Sequence, residues 1–138
     1  GFLPPLTEEQ GLGYWQGIET ELAAGNRRLW VAFEQHQLVG TLQLALCTKA
    51  NGRHRAEVEK LMVHSHARGK GVGRALMAAM EQGASDAGRT LLVLDTRVGD
   101  VASSLYRQLG YQEAGQIPDF ARSADGTLAA TLFFYKQL

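Results

Sequence analysis

Two apolar runs with a helix-period segment between them limit the folds open to this chain. AEVEKLMV (residues 56–63) and LLVLD (91–95) read as strands. Between them Val72, Ala75, Leu76, Ala79, Met80 and Ala87 recur at helical spacing, and Gly88 ends the pattern. Strand, helix and strand joined this way make a right-handed crossover, so the two strands are expected to be parallel neighbours in one sheet. The unbroken run LLVLD predicts a strand covered on both faces. The first run alternates. A period of two puts Glu57, Glu59, Leu61 and Val63 on one face, and Val58, Lys60 and Met62 on the other.

The remaining segments build around this unit. TEEQ (7–10) reads as a capping box that opens a helix carrying Trp15, Ile18 and Leu22 on one face and stopping near Gly25 and Asn26. LWVAF (29–33) and LVGTLQLALC (38–47) read as a hairpin across the polar gap EQHQ, and Asn51-Gly52 marks the next turn. A short helix is predicted to carry Ala102, Leu105, Tyr106 and Leu109 and to close at Gly110. Residues 111–117 and 128–135 read as two last strands, with Pro118, Asp119 and an Asp125-Gly126 turn in the loop between them. The order predicts an α+β fold, a mostly antiparallel sheet with one parallel step.

Composition excludes several classes of function. The 138 residues suit one domain with a real core. Lysine plus arginine equals aspartate plus glutamate at 14 each, so the chain has no basic excess with which to meet nucleic acid. No apolar run is long enough to span a bilayer, and no signal peptide is visible. The single Cys47 cannot close an internal disulfide, which fits a reducing cytoplasm. His64 and His66 read as solvated loop residues without metal-ligand company, so no metal is expected.

RGKGVGRAL (68–76) places three glycines at alternate positions among Arg68, Lys70 and Arg74, where the long helix begins. A helix N-terminus offers unpaired amides and a partial positive charge, and missing Cβ atoms let an anion come close. The stretch therefore reads as a phosphate cradle. It is not a mononucleotide P-loop, because Lys70 is followed by Gly71 and not by Ser or Thr. A dinucleotide motif finds its ribose-binding acid in Asp95, but Arg74 stands at its third glycine and only one strand–helix–strand unit is present.

LMVHSHARGKGVGRALM resembles the signature of the GCN5-related N-acetyltransferases (GNAT), with Arg68, Gly71 and Gly73 at its defining positions. ASSLYRQLGY (102–111) resembles the second signature of that family. RAEVEKLMV, ARGKGVGRALM, LDT and the C-terminal DG…YK are similar to its tabtoxin-resistance type. The resemblance covers nearly the whole chain. It implies one GNAT domain over residues 1–138: a mostly antiparallel central sheet, one parallel splayed strand pair, and helices on both faces. The chain starts at Gly1 and shows no counterpart of the family's first strand and helix, so an N-terminal segment is expected to be missing.

The resemblance also implies a chemistry, acetyl transfer from acetyl-CoA to a primary amine of a small molecule, with an amino-acid-like toxin or antimetabolite as one acceptor. It assigns the coenzyme to the backbone of Met62 and Val63 and to Arg68, Gly69, Lys70, Gly71, Val72, Gly73 and Arg74. It makes Glu57 the base and Tyr106 the acid. Glu59 lies on the same predicted face as Glu57, and Asp95 ends the parallel strand; both are candidates to meet the substrate. For Asp95, holding an amine and capping a turn remain equal readings. Gly99 stands where the family often has an Asn that holds the pantetheine. Tyr14, Trp15 and Phe120 are candidates to line the acceptor pocket, and the C-terminal LFFY reads as core or as the contact of a homodimer. Two rivals stay open, a non-catalytic coenzyme A-binding regulatory module and a dinucleotide-binding protein.

Overall fold

A computed structural model describes residues 26–138 in full and the backbone of two earlier strands, Phe2–Glu8 (β1) and Trp15–Glu21 (β2). From there the order is β3 (Arg27–Glu34), β4 (Gln37–Leu46), β5 (Arg55–Val63), α1 (Val72–Asp86), β6 (Leu91–Arg97), α2 (Ala102–Gln108), β7 (Gln112–Arg122) and β8 (Leu128–Gln137). These strands form one sheet in the order β1-β2-β3-β4-β5-β6-β8-β7. Only β5 and β6 pair in parallel among the described residues, as the crossover rule requires.

The helix expected after residue 7 is not observed. β2 pairs with β3 along its whole length, from Trp15↔Glu34 to Glu21↔Arg28. Gly17 weighs against a helix here, costing about 1 kcal/mol relative to Ala. Pairing with the open edge of β3 supplies a ladder instead. Pro4 and Pro5 fall in β1, an edge strand, where a missing amide is tolerated. Gln10 of the capping box, with Leu22 and Gly25, lies outside the described residues.

One face of the sheet carries the core. Trp30 and Ala32 of β3, Leu42 and Leu44 of β4, Ala56 and Val58 of β5, Leu92 and Leu94 of β6 and Phe134 of β8 are all buried. Against them α1 lays Val72, Leu76, Met77 and Met80, and α2 lays Tyr106. Both helices therefore sit on the same face, and among the described residues none covers the other, where the family resemblance implied helices on both. Accordingly β6 is not buried on both sides: Leu92 and Leu94 are buried, while Leu91, Val93 and Asp95 are only half-buried. Gly40 sets how close α1 comes, since a Cβ there would lie 2.9 Å from Val72 Cγ1 and 3.0 Å from Leu76 Cδ1.

Two irregularities depart from the expected alternation. Leu44 faces Val58, but Thr41 faces Met62, so β5 carries one residue more than β4 between these pairs. The extra residue is a β-bulge at Lys60, whose φ is 56°. The face rule therefore holds for Glu57, Val58 and Glu59 and inverts beyond: Val63 turns toward α1, and Met62 turns out, 65% exposed. Likewise Pro118 and Asp119 are not in a loop. They belong to β7, as a bulge between Ile117 and Ala121.

Leu76 is 1% exposed at the centre of the α1–β4 contact. The Leu76→Ala variant is expected to lose about 2–5 kcal/mol of stability. In urea its midpoint falls while its m-value is unchanged.

Candidate active site

β5 and β6 stay paired for three residues only, Arg55↔Leu91 to Glu57↔Val93. Beyond Glu57 they part, and a cavity of about 600 Å³ opens beside the splayed end of β5. Met62 and Val63 line one wall, and the turn into α1 lines the next with Arg68, Gly69, Gly71, Val72, Gly73 and Arg74. Asp100, Val101, Ala102 and Leu105, at the start of α2, close the far side.

The turn is built from its glycines. Ala67 and Arg68 donate back to His64 and Ser65 in a 3₁₀ turn, and then Gly69 and Gly71 take φ of 79° and 81°. Only glycine enters this region without a steric penalty. Gly71 caps α1, and the first helical bond runs from the Ala75 amide to its carbonyl. The amides of Val72, Gly73 and Arg74 have no partner inside the helix, and no acidic side chain occupies its first turn. Gly73 serves packing, since a Cβ there would sit 3.3 Å from Leu105 Cδ2. This concave run of unpaired amides with an arginine at either end can hold an anion.

The three cations are not equivalent. Arg68 and Arg74 line the cavity; Arg68 Nε donates to Val63 O at 3.4 Å and Arg74 Nη2 to Gln108 Oε1 at 2.6 Å. Lys70 does not line it, and its ammonium is 3.0 Å from Glu34 Oε1 at the end of β3. Asp100 is a lining acid that the sequence reading missed. It receives the Ala102 amide at 3.1 Å and Thr96 Oγ1 at 3.3 Å. The signal for it was Gly99-Asp100 just ahead of a helix. Gly99 has φ of 87°, so the turn itself asks for glycine there.

The acids gather on the helix-free face. Glu57 and Glu59 point there from β5, and Asp95 from β6. Glu59 forms an ion pair with Arg27 of β3. Asp95 Oδ2 accepts from Thr131 Oγ1 at 2.7 Å. Partial desolvation, then the charges of Glu59 and Asp95, raise the Glu57 pKa above the usual carboxylate value, while Arg27 opposes them. Phe120 lines a second cavity on this face together with Asp95. Tyr14 and the side chain of Trp15 lie outside the described residues.

Tyr106 is 6% exposed and does not line the larger cavity. Its ring meets Phe134 and Tyr111 at centroid distances of 5.8 and 6.0 Å. Its hydroxyl has no hydrogen-bond partner among the described residues. Burial, then Asp100 and Asp95, push its pKa up to about 12, so it is a phenol at neutral pH. His64 and His66 are exposed, with their Nδ1 atoms 2.6 Å apart.

The Glu57 environment yields two shifts of opposite sign. Glu59→Gln removes a repelling charge and frees Arg27, so the Glu57 midpoint is expected to fall; Arg27→Gln removes the opposing cation, and the midpoint rises. Carboxyl ¹³C titration by NMR reads both.

The acetyltransferase (GNAT) domain family matches residues 25–113. N-acetyltransferase 8B of Rattus norvegicus is 37% identical over 89 residues, which is 63% of this chain and 40% of that protein. The chain thus spans about two fifths of the curated relatives it matches. A ribosomal-protein-alanine N-acetyltransferase of Brucella melitensis superposes with a TM-score of 0.73 at 29% identity, covering 81% of this chain and 69% of that one. The yncA protein of Salmonella typhimurium, solved with its cofactor acetyl-CoA, shares the fold: TM-score 0.73, 24% identity, 81% of this chain and 65% of that one.

Proposed function

Because the chain belongs to the GNAT acetyltransferase family, we propose that it moves the acetyl group of acetyl-CoA onto a primary amine of a small molecule. The observation that carries this reading is the cavity at the parting of β5 and β6, glycine-turned at one end and edged by unpaired strand at the other. About 600 Å³ suits an extended cofactor arm, and the amides from Gly69 to Arg74, with Arg68 and Arg74, suit a pyrophosphate. Acetyl-CoA supplies an activated thioester. Met62 and Val63 offer backbone groups to its arm.

The reaction breaks the thioester C–S bond and makes an amide C–N bond. The amine gives up one proton and the leaving sulfur takes one. Glu57 accepts the first, its raised pKa bringing it closer to neutrality. Tyr106, a phenol throughout the working range, is the candidate to deliver the second from behind the Ala102 and Leu105 wall of the cavity. Glu59 is committed to Arg27 and shapes the field around Glu57. Lys70 acts by tying the turn to β3 through Glu34. The likeness to the tabtoxin-resistance type supports an amino-acid-like toxin as acceptor, and the lone Cys47 fits a reducing compartment.

Calorimetric titration with acetyl-CoA and, separately, with NAD tests the reading. Heat with acetyl-CoA alone is expected; heat with NAD alone would replace it with the dinucleotide reading. Tyr106→Phe is expected to lower kcat about a hundredfold and leave the acetyl-CoA Kd unchanged. A regulatory module would show the same Kd and no turnover in either form. The rate should rise with pH as Glu57 loses its proton, and Glu57→Gln should remove that rise. Tyr106 places no falling limb below about pH 11.

A further inference from the structure

The cavity beside β5 is charged unevenly. Arg68 and Arg74 line it at the glycine turn, and Asp100 lines it at the start of α2. No other charged side chain among the described residues lines it, and beside Asp100 the wall is Val101, Ala102 and Leu105. Across the gap, Leu61, Met62 and Val63 add no cation. Asp100 forms no ion pair within the described residues. Its place is fixed. Oδ1 accepts the Ala102 amide at 3.1 Å, Oδ2 accepts Thr96 Oγ1 at 3.3 Å, and its own amide donates to Arg97 O at 3.0 Å. Gly99, with φ of 87°, lets the chain turn into this position. Both side-chain donors are neutral. A neutral donor orders a carboxylate but does not cancel its field. Tyr106 feels that field: after burial, Asp100 is the largest cause of its raised pKa.

We infer that Asp100 is a specificity residue for the acyl group: it admits a coenzyme A thioester whose acyl group is uncharged and turns away one that ends in a carboxylate. This rests on the acetyl-transfer reading, which assigns the pyrophosphate to the glycine turn and the proton for the leaving sulfur to Tyr106. Held that way round, the arm runs from two guanidiniums toward one carboxylate. The phosphates are stabilised at the first end. An acyl carboxylate at the second would meet the field of Asp100 with no cation to answer it, and an unpaired charge leaves water at a high cost. An acetyl group brings no charge and meets no such barrier. The same asymmetry fixes the sense in which the thioester lies. Reversed, its phosphates would face Asp100 and forgo both arginines.

Acetyl-CoA, propionyl-CoA and malonyl-CoA separate charge from size, since the last two carry three-carbon acyl groups that differ by a terminal carboxylate. Calorimetric titration gives a Kd for each, with no acceptor and no turnover. The wild type is expected to bind malonyl-CoA about tenfold more weakly than propionyl-CoA. Asp100→Asn keeps an oxygen for the Ala102 amide and removes the charge, so that gap should close to about threefold or less. Equal affinity of the wild type for propionyl-CoA and malonyl-CoA overturns the assignment, and so does a gap that the variant leaves unchanged. An equal loss of affinity for all three thioesters in the variant would mean that Asp100 only braces the turn, and overturns it too. Each of those outcomes keeps the coenzyme site. Heat with none of the three removes the site itself, and the acetyl-transfer reading falls with it.

Discussion

Three residues of parallel pairing, Arg55–Glu57 against Leu91–Val93, hold the two halves of the sheet together. Every other strand pair runs longer. The seam is braced at its closed end. Arg89 Nη1 reaches the carbonyl of Cys47 at 2.9 Å and that of Arg53, and the amides of Thr90 and Leu91 both donate to His54 O. At its open end no backbone pair joins the two strands among the described residues, and the cavity occupies the gap. The shortness of the pairing thus leaves room for the cavity, and the rest of the structure must make good the lost cohesion.

Part of that cohesion is polar. Glu81 of α1 accepts from Tyr111 Oη at 2.8 Å and from Lys136 Nζ at 2.9 Å, and Lys136 also reaches Leu109 O at 2.7 Å. Helix α1 packs against the first half of the sheet; Tyr111 and Lys136 belong to the second. Burial and the neighbouring Glu81 carboxylate raise the Tyr111 pKa, so the phenol keeps its proton and remains a donor. The aromatic group of Tyr106, Tyr111 and Phe134 fills the space under α2. Tyr106 therefore has a packing role, whatever proton it carries.

From residue 27 onward the element order was legible because each strand alternates or runs apolar and each helix keeps its period. The glycine-rich turn was legible because Gly69 and Gly71 have no substitute at positive φ. Three features were hidden. A bulge adds one residue without changing composition, so nothing in AEVEKLMV marks Lys60 as the place where the faces exchange. β2 is held by its neighbour β3, and a local pattern of Trp15 and Ile18 cannot show that. The separation of Lys70 from Arg68 and Arg74 depends on Glu34, 36 positions away.

The bulge at Lys60 gives β5 two phases. Its first half presents Glu57 and Glu59 to the helix-free face and Val58 to the core; its last residue, Val63, sits under α1. One inserted residue thereby uncouples the two ends of a nine-residue strand. The acids upstream can change identity without disturbing the seat of the helix, and the seat can be repacked without turning an acid inward. A strand of unbroken phase would bind those choices together. Here the half that carries the acids and the half that steadies the glycine turn are free to vary as separate parts.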